Sequence, residues 1–219
     1  MSRKRLHAVL FGPQGCGKGT QGQLLAERFD IPIIGAGDLF RAEIGEGSPL
    51  GNLVKEYVGL GMLAPDELVN AIIQKRMKEM DLERGFLLDG YPRNVEQAGS
   101  LDRFAKINLA IQIKISDKKA VRRLLGRRQC PMCRAVFHVE EVQPVEQDVC
   151  TYCGHALIKR NDDEEAIIQS RLAVYHFMTE PLASYYRQRG VLLAINGEQP
   201  VASLFQELIR KITKLGFVG

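Results

Sequence analysis

The sequence predicts an α/β fold in which helices cover both faces of a parallel sheet. Short apolar runs rich in branched residues recur as candidate strands at 7–11, 31–34, 86–88, 109–115 and 191–195. Segments with helical periodicity lie between them, and strands that alternate with helices are typical of a parallel sheet. Because 219 residues exceed one average domain and fall short of two, we expect one main core with an inserted module.

The clearest helical pattern lies between the second and third candidate strands, at 65–80. Pro65 suits the first helical position because its φ is already fixed, and Asp66 and Glu67 favour the positive end of a helix dipole. Apolar side chains then recur at helical spacing on one face, at Val69, Ile73, Met77 and Met80. The segment is therefore predicted to be an amphipathic helix.

Two stretches interrupt the alternation of strands and helices. Residues 35–64 follow the second strand and are glycine-rich, as expected of a small mobile helical insert, at Gly35, Gly37, Gly45, Gly47, Gly51, Gly59 and Gly61. Residues 129–159 carry four cysteines and lie between the fourth and fifth strands. We expect both inserts to leave the sheet at the carboxyl ends of strands, where open α/β sheets bind ligands.

The composition is that of an ordinary globular protein with a mild positive charge. Hydrophobic residues make up 45% and charged residues 26%, and the formal charge of +4 suits an anionic ligand without by itself implying nucleic acid. The apolar stretch 8–11 is too short for a signal peptide or a membrane span, so we expect a cytoplasmic protein with reduced thiols. Four of the five cysteines occur in pairs, which favours metal ligands over disulfides.

A glycine-rich loop, GPQGCGKGT at 12–20, follows the first candidate strand and precedes a helical run. Glycines let backbone N–H groups turn towards phosphate oxygens, and the helix N-terminus adds positive potential. Lys18 is placed to reach the β- and γ-phosphates of a nucleotide. A phosphate-binding loop is therefore predicted; the alternative is a glycine-rich turn without a ligand.

The magnesium ligands depart from the general pattern of such loops. Gly19 occupies the position where a Ser or Thr usually holds Mg²⁺, and Thr20 follows it. Mg²⁺ would then depend more on waters and on another carboxylate, which suits its reluctance to lose water. Asp89, at the end of the run FLLD, is the candidate to orient those waters; the alternative is a simple turn residue before Gly90.

Cys16 lies inside the loop and has two interpretations. A thiol near a helix N-terminus can be acidified and reactive. Alternatively, it is a small residue that the loop tolerates.

The second half of the chain carries a four-cysteine metal motif, Cys130-x2-Cys133-x16-Cys150-x2-Cys153. This spacing is typical of a structural zinc site with no open catalytic position, although iron can occupy the same thiolates. A single redox dithiol would not explain two pairs.

The charges around these cysteines decide between two functions for the motif. Between the knuckles one basic residue, Arg134, stands against four acids, whereas Arg122, Arg123, Arg127, Arg128 and Arg160 lie outside. An acidic ribbon is poorly suited to binding a nucleic-acid backbone. A P-loop protein whose zinc ribbon binds nucleic acid remains the alternative from another functional class. The arrangement favours a metal-stabilised lid that closes on phosphates and expels water.

Five motifs in order along the chain resemble the adenylate kinases, specifically the long form with a zinc-binding lid: GPQGCGKGT, GDLFR at 37–41, FLLDGYPRN at 86–94, GRR at 126–128 and RNDD at 160–163. The resemblance implies a P-loop kinase core with a parallel sheet flanked by helices, at 1–34, 65–126 and 164–219. It also implies an AMP-binding insert at 35–64 and a zinc-binding lid at 127–163. The expected activity is reversible phosphoryl transfer from MgATP to AMP, giving two ADP, by a cytoplasmic monomer.

The resemblance also assigns site residues. ATP binding is expected at Gly12, Gly15, Cys16, Gly17, Lys18, Gly19, Thr20, Arg123, Arg127, Val136, Phe137 and Gln199. Among these, Phe137 is expected to stack on adenine and the backbone around Gln199 to contact that base. AMP binding is expected at Ala36, Arg41, Met62, Leu63, Ala64, Gly90, Arg93, Gln97, Arg160 and Arg171, with Gln97 reading the adenine edge. The catalytic groups would be Lys18, Arg93, Arg127, Arg160 and Arg171; arginine suits the task because its planar fork pairs with phosphate.

One further departure bears on the acceptor nucleotide. Many adenylate kinases have a Ser or Thr pair before Gly-Asp, where this chain has Gly35 and Ala36. A hydroxyl that commonly touches the base of the monophosphate is therefore missing. The alternatives of a kinase for another nucleoside monophosphate, or of one that uses GTP with AMP, stay open.

Overall fold

A computed structural model describes residues 4–60 and 62–217. The predicted core also reaches 1–3 and 218–219, and the predicted insert includes Gly61; these positions lie outside the described residues. The described elements are, in order, β1 (Leu6–Phe11), α1 (Lys18–Phe29), β2 (Ile33–Gly35), α2 (Ala36–Glu46), α3 (Pro49–Gly59), α4 (Asp66–Glu79), β3 (Gly85–Asp89), α5 (Val95–Leu101), β4 (Leu109–Lys114), α6 (Asp117–Leu125), β5 (Arg127–Gln129), β6 (Val136–His138), α7 (Glu165–Val174), a π-helical turn (Tyr175–Thr179), α8 (Leu182–Gln188), β7 (Leu192–Asn196) and α9 (Val201–Lys214).

The central sheet confirms the predicted α/β class and its parallel strands. Five strands pair in the order β2-β3-β1-β4-β7, with every neighbouring pair parallel. The largest shift from the predicted strand bounds is at β2, which begins at Ile33 rather than at residue 31. Pro32 explains this shift because it has no N–H to donate to the ladder, although its carbonyl oxygen accepts from the Leu87 N–H at 2.9 Å.

Side chains of β1 alternate between two cores on opposite faces of the sheet. Leu10 packs with Leu25 of α1 and Leu208 of α9 in one core. Val9 packs with Tyr186 of α8 in the other. Because β1 is covered on both faces, the loop that follows it starts from a fixed point.

The helix predicted at 65–80 is α4, and its apolar face is confirmed. Val69, Ile73 and Met77 are buried, and Met80 is partly buried just beyond the end of the helix. α4 and α9 each have 14 residues. Within the described parts of the chain, no helix combines the length and apolar character that crossing a membrane requires.

The first insert is helical and leaves the carboxyl end of β2, as predicted. It consists of α2 and α3, which pack closely where a Cβ at Gly51 would lie 2.1 Å from the Glu43 carbonyl oxygen. Only glycine allows this approach of the two backbones. α4 then returns the chain towards the sheet.

The second insert follows a helix, so the prediction that it leaves the sheet at the end of a strand is wrong. After β4 the chain first forms α6, which packs against α7 through Ala120, Leu124, Ile168 and Leu172. This apolar contact separates the cysteine-rich segment from the sheet. β5 and β6 then form an antiparallel hairpin with Arg127 opposite His138. The predicted lid, residues 127–163, thus begins after α6 and ends before α7, and these two packed helices form its base.

Candidate functional site

The glycine-rich loop joins the end of β1 to the start of α1, which confirms the strand, loop and helix context. Gly17 has φ +97°, a left-handed conformation that favours glycine. At Gly12, a Cβ would lie 2.3 Å from the Ile113 carbonyl oxygen, so the loop lies close against β4. Lys18 Nζ donates to the carbonyl oxygens of Gly12 at 2.7 Å and Pro13 at 2.9 Å. The ammonium group therefore lies across the loop, beside the positive end of α1.

Asp89 lies beside this loop, at the carboxyl end of β3. It aligns with Leu10 of β1 and Gly35 of β2, and its Oδ2 lies 3.8 Å from the position a Cβ would take at Gly19. Burial raises the pKa of Asp89, while the charge of Lys18 lowers it. Mg²⁺ prefers oxygen ligands. The Asp89 carboxylate beside the loop and the exposed Thr20 hydroxyl in the first turn of α1 are groups of this kind.

The interpretation of Cys16 as an acidified thiol is wrong. Its side chain is fully buried, and burial raises the thiol pKa although Lys18 opposes the shift. Its Sγ lies 3.6 Å from Lys18 Nζ. Cys16 instead packs in the core beneath the loop, with Leu10 and Ile113.

A second pocket lies between the first insert and the carboxyl ends of the strands. Nine of the ten residues predicted for AMP line it: Ala36, Arg41, Met62, Leu63, Ala64, Gly90, Arg93, Gln97 and Arg171. Arg160, the tenth, is absent from this lining among the described residues, but it reaches the pocket through Asp162, which does line it. Gly37, Phe40 and Val69 complete the walls.

Two arginines of this pocket are held by neighbouring groups. Arg93 Nε donates to the Gly90 carbonyl oxygen at 2.8 Å, and burial lowers the Arg93 pKa. Arg41 Nη2 donates to Asp38 Oδ1 at 2.6 Å, and that same oxygen lies 3.6 Å from Nη1 of Arg134 in the lid. The insert and the lid therefore meet at Asp38.

The amide of Gln97 is bonded on both sides within the wall of the pocket. Its Oε1 accepts from the Arg93 N–H at 2.8 Å, and its Nε2 donates to Asp66 Oδ1 at 2.7 Å. Asn94 caps α5 through a bond from the Gln97 N–H at 2.7 Å and donates to both oxygens of Asp66 at 2.9 Å. Sequence reasoning used Asp66 only as a helix-start residue and gave Asn94 no role.

Four arginines, Arg93, Arg127, Arg160 and Arg171, lie close enough for their charges to act on one another. Burial lowers the pKa of Arg171 to about 10, against the opposing charge of Asp162. The positive charges of three other arginines add to that shift: Arg93, Arg160 and Arg127. Positive groups gathered in this way, partly removed from water, form a site for a polyanion.

Two adjacent carboxylates hold these arginines in place. Asp162 accepts from Arg160 Nε and Nη2 at 2.8 and 2.6 Å and from Arg171 Nη1 at 2.7 Å. Burial disfavours the charged form of Asp162, but the bond from Arg160 and the charge of Arg171 prevail and lower its pKa to about 2. Asp163 pairs in the same bidentate manner with Arg127. Both were visible in the motif RNDD, but the sequence assigned them no role.

The predicted donor-side residues lie around the mouth of the glycine loop and in the lid. Arg123 Nη1 donates to the Gly197 carbonyl oxygen at 3.0 Å and lies 3.5 Å from that of Gly15. Gln199 Nε2 donates to the Asn196 carbonyl oxygen at 2.8 Å, next to this point. The Phe137 ring, 4% exposed, packs inside the lid. Its stacking on adenine stays a prediction, and Val136 beside it is exposed.

The four cysteines of the lid come together as the spacing predicts. Their Sγ atoms all lie within 4.8 Å of one another, with Cys130 and Cys153 at 3.4 Å and Cys133 and Cys150 at 3.4 Å. Four thiolates around tetrahedral zinc would lie about 3.8 Å apart. The cluster therefore fits a structural metal site.

Acidic residues at the base of the lid bind the stem that carries the arginines. Glu141 pairs with Lys119 at 2.5 Å and with Arg123 at 3.2 Å, and Glu140 pairs with Arg122 at 2.5 Å. These contacts join β6 and its following turn to α6.

A histidine completes this base. His138 Nδ1 accepts from the N–H groups of Glu140 and Glu141 at 3.0 Å each. Its ring lies so close to Gly126 that a Cβ there would be 2.3 Å from His138 Nε2. The ring thus orients the turn that carries both acids.

Comparisons with known proteins agree on one family. The family model described as "Adenylate kinase" matches residues 10–191. The chain is 41% identical over 208 residues to a protein named adenylate kinase from Caldanaerobacter subterraneus subsp. tengcongensis, covering 93% of this chain and 94% of the relative. A protein of the same name from Symbiobacterium thermophilum is 44% identical over 201 residues, covering 90% and 93%. One from Desulfitobacterium hafniense is 43% identical over 209 residues, covering 93% and 96%.

Proposed function

The chain belongs to the adenylate kinase family, and from that premise we propose how its residues divide the work of the reaction. The protein catalyses reversible phosphoryl transfer from MgATP to AMP and forms two molecules of ADP. This chemistry needs alignment, charge neutralisation and exclusion of water more than covalent help from the protein. The observation that carries the assignment is the set of four arginines whose charges act on one another, two of which, Arg93 and Arg171, line the second pocket.

On the donor side, Lys18 and the loop amides hold the β- and γ-phosphates of ATP. Arg123 and Arg127 clamp the triphosphate from the stem and the lid, and the backbone around Gln199 contacts the base. Arg123 is suited to this because it already touches the carbonyl oxygens of Gly15 and Gly197. The planar guanidinium keeps its charge at any working pH.

On the acceptor side, Arg41 and Arg93 bind the phosphate of AMP while Gln97 reads its base. Arg160 and Arg171 contact the transferred group from the opposite side. Their pairing with Asp162 supports this role because it fixes the guanidinium planes before a nucleotide arrives. Preorganised charge of this kind stabilises charge that develops in the transition state.

Two metals complete the proposal. Mg²⁺ bound to ATP would be held through water by Asp89, and it would neutralise phosphate charge. Zinc in the four-cysteine cluster would have a structural role, and it would fold a lid too small to have a large core of its own. The small apolar cluster of Cys130, Phe137, Cys150 and Leu157 supports this division of labour.

The acidic base of the lid also supports the proposal that the protein works on free nucleotides and not on nucleic acid. Glu140 and Glu141 form ion pairs with basic side chains of the stem, α6. A nucleic-acid backbone would need those same basic groups for its own contacts. We further propose that it acts as a cytoplasmic monomer. Sedimentation at working concentration tests the monomer, and a gel-shift titration at low salt tests nucleic-acid binding.

A coupled assay tests the reaction and its substrates. ATP and GTP are offered as donors against AMP, GMP, CMP and UMP, and we expect ATP with AMP to be preferred. Arg93→Lys keeps the charge but loses the planar fork, so its kcat should fall by roughly a hundredfold. Arg187→Lys, on the exposed end of α8, is the matched control and should leave kcat unchanged. Preference for another monophosphate would overturn the substrate assignment.

A further inference from the structure

Gln97 presents a side-chain amide whose two ends look alike in shape but differ in chemistry. Its oxygen accepts hydrogen bonds and its nitrogen donates them, and a half-turn about the last bond exchanges the two at almost no steric cost. An amide free to turn can satisfy a base edge with either order of donor and acceptor. Discrimination by Gln97 therefore depends on whatever prevents that turn.

Two neighbours oppose the turn, and they demand the same orientation. Asp66 Oδ1, a carboxylate oxygen, only accepts, and it lies 2.7 Å from Gln97 Nε2. The Arg93 N–H only donates, and it lies 2.8 Å from Gln97 Oε1. Turning the amide would set two acceptors against each other at Asp66 and two donors against each other at Arg93. Gln97 is 1% exposed, so water would not relieve either conflict.

Asp66 is itself fixed in place. Both of its oxygens accept from Asn94 Nδ2 at 2.9 Å, and Asn94 Oδ1 caps α5 through the Gln97 N–H. Asp66 is the first residue of α4, and only Pro65 separates it from the insert residues Met62, Leu63 and Ala64, which line the same pocket. The carboxylate thus ties the end of the insert to the residue that faces the base.

We propose that Asp66 is a positioning residue for nucleobase selectivity, which locks the Gln97 amide in the orientation that accepts a 6-amino purine and rejects a 6-oxo purine. This inference rests on the proposed role of Gln97 as the reader of the base. An adenine edge offers an amino donor beside a ring acceptor, and a hypoxanthine edge offers the reverse. The locked amide has one N–H and one oxygen lone pair left, in a fixed order. Selectivity thus comes from a conflict with the wrong base as much as from bonds to the right one.

The test compares AMP with inosine monophosphate, which differ only at this edge of the base. Values of kcat and KM are measured for both acceptors at saturating MgATP, in the wild type, Asp66→Asn and Asp66→Ser. The Asn variant keeps the shape but can offer an N–H to a turned Gln97. The Ser variant keeps a residue suited to a helix start and removes the carboxylate. Asp81→Asn, an exposed acid just beyond α4 that accepts from the Glu83 N–H, is the matched control.

We expect the ratio of kcat/KM for AMP to that for inosine monophosphate to fall by roughly tenfold in both Asp66 variants. The change should lie in KM, with kcat for saturating AMP within about twofold of the wild type, because the arginines are untouched. A merely structural role would lower kcat/KM for both acceptors equally and would overturn the inference. Melting curves of each variant set an assay temperature at which all are folded, and if one variant fails to fold the other decides.

Gln97→Leu separates this inference from the function on which it rests. If Gln97→Leu abolishes the preference for AMP while folded Asp66 variants keep it, Gln97 reads the base and Asp66 does not position it. If Gln97→Leu keeps the full preference, the reading role and the inference both fail. In the Gln97→Leu background, Asp66→Asn should have no further effect on the ratio.

Discussion

Asp163 accepts two hydrogen bonds from the guanidinium group of Arg127, from Nε at 2.8 Å and from Nη2 at 2.5 Å. The Asp163 side chain is 0% exposed, whereas that of Arg127 keeps 17% exposure. A buried carboxylate with two parallel bonds fixes the plane of its partner. Arg127 is therefore oriented from behind, and within the described part of the chain its other guanidinium N–H groups have no hydrogen-bond partner, which suits them to a phosphate.

Asp163→Asn should cost both stability and activity. The variant leaves Arg127 without its counter-charge, and we expect the free energy of unfolding to fall by about 3 kcal/mol. As Arg127 loses its orientation, kcat should fall by about tenfold. Urea unfolding and steady-state assays measure the two effects. Glu164→Gln, at the exposed next residue, is the control, and equal unfolding energies for the two variants would contradict the prediction.

Asp162 should make stability depend on pH in the acid range. Its folded pKa of about 2 lies below the unfolded value of about 3.9. The stabilisation is therefore complete above about pH 5, and it is lost as the pH falls from there through the folded pKa. The side chain is 11% exposed, so solvent screens it little.

Unfolding energies of the wild type and Asp162→Asn, measured in urea from about pH 6 to about pH 2, test this dependence. The difference between the two should shrink by roughly 2 kcal/mol over the lower part of that range. A difference that stays constant would show that Asp162 is not stabilised in its ionised form.

His176 should have the opposite dependence. Hydrogen bonds to Glu180 and Asp117 raise its pKa, and they tie the π-helical turn to the start of α6. Its contribution is therefore present below the unfolded pKa of about 6.5 and is lost as the pH rises through the folded value. The melting-temperature difference between wild type and His176→Gln should be larger at about pH 6 than at about pH 8.5. A larger difference at the higher pH would refute this sign.

The cysteine cluster should matter more for stability than for chemistry. Cys130→Ser and Cys150→Ser each remove a buried ligand, so we expect melting to occur at much lower temperature while activity in the cold is largely kept. Metal analysis and calorimetry with and without a chelator measure this. Met132→Ala, an exposed change in the same knuckle, is the control. Melting that neither the substitutions nor the chelator alters would rule out a structural metal.

The sheet and α4 could be predicted from the sequence because their signals are local. Branched apolar runs mark buried strands, and Val69, Ile73 and Met77 recur at the helical period. The loop before Lys18 and the four cysteines have spacings that few other structures share. These features needed no knowledge of the tertiary fold.

The rest depended on contacts between distant residues. Glu141 meets Lys119 across 22 positions because the hairpin folds back onto α6. Gln97 meets Asp66 across 31 positions because α4 and α5 pack side by side. The burial that raises the pKa of Cys16 comes from other strands and helices, so the local rule for helix N-termini gave the wrong sign. The prediction that the second insert follows a strand is wrong because α6 and α7 pair through apolar contacts that no sequence motif marks.

Gly126 and His138 limit how the lid can be exchanged. Since any side chain at position 126 would overlap the imidazole, Gly126 cannot be replaced while His138 keeps its ring. The ring also receives the two N–H groups of the turn that carries Glu140 and Glu141. A lid transplanted from another protein onto this core would therefore have to include both positions, so that the residue at 126 and the side chain at 138 fit each other. The natural joints for such a chimaera are therefore inside α6 and α7, and not at the ends of the hairpin.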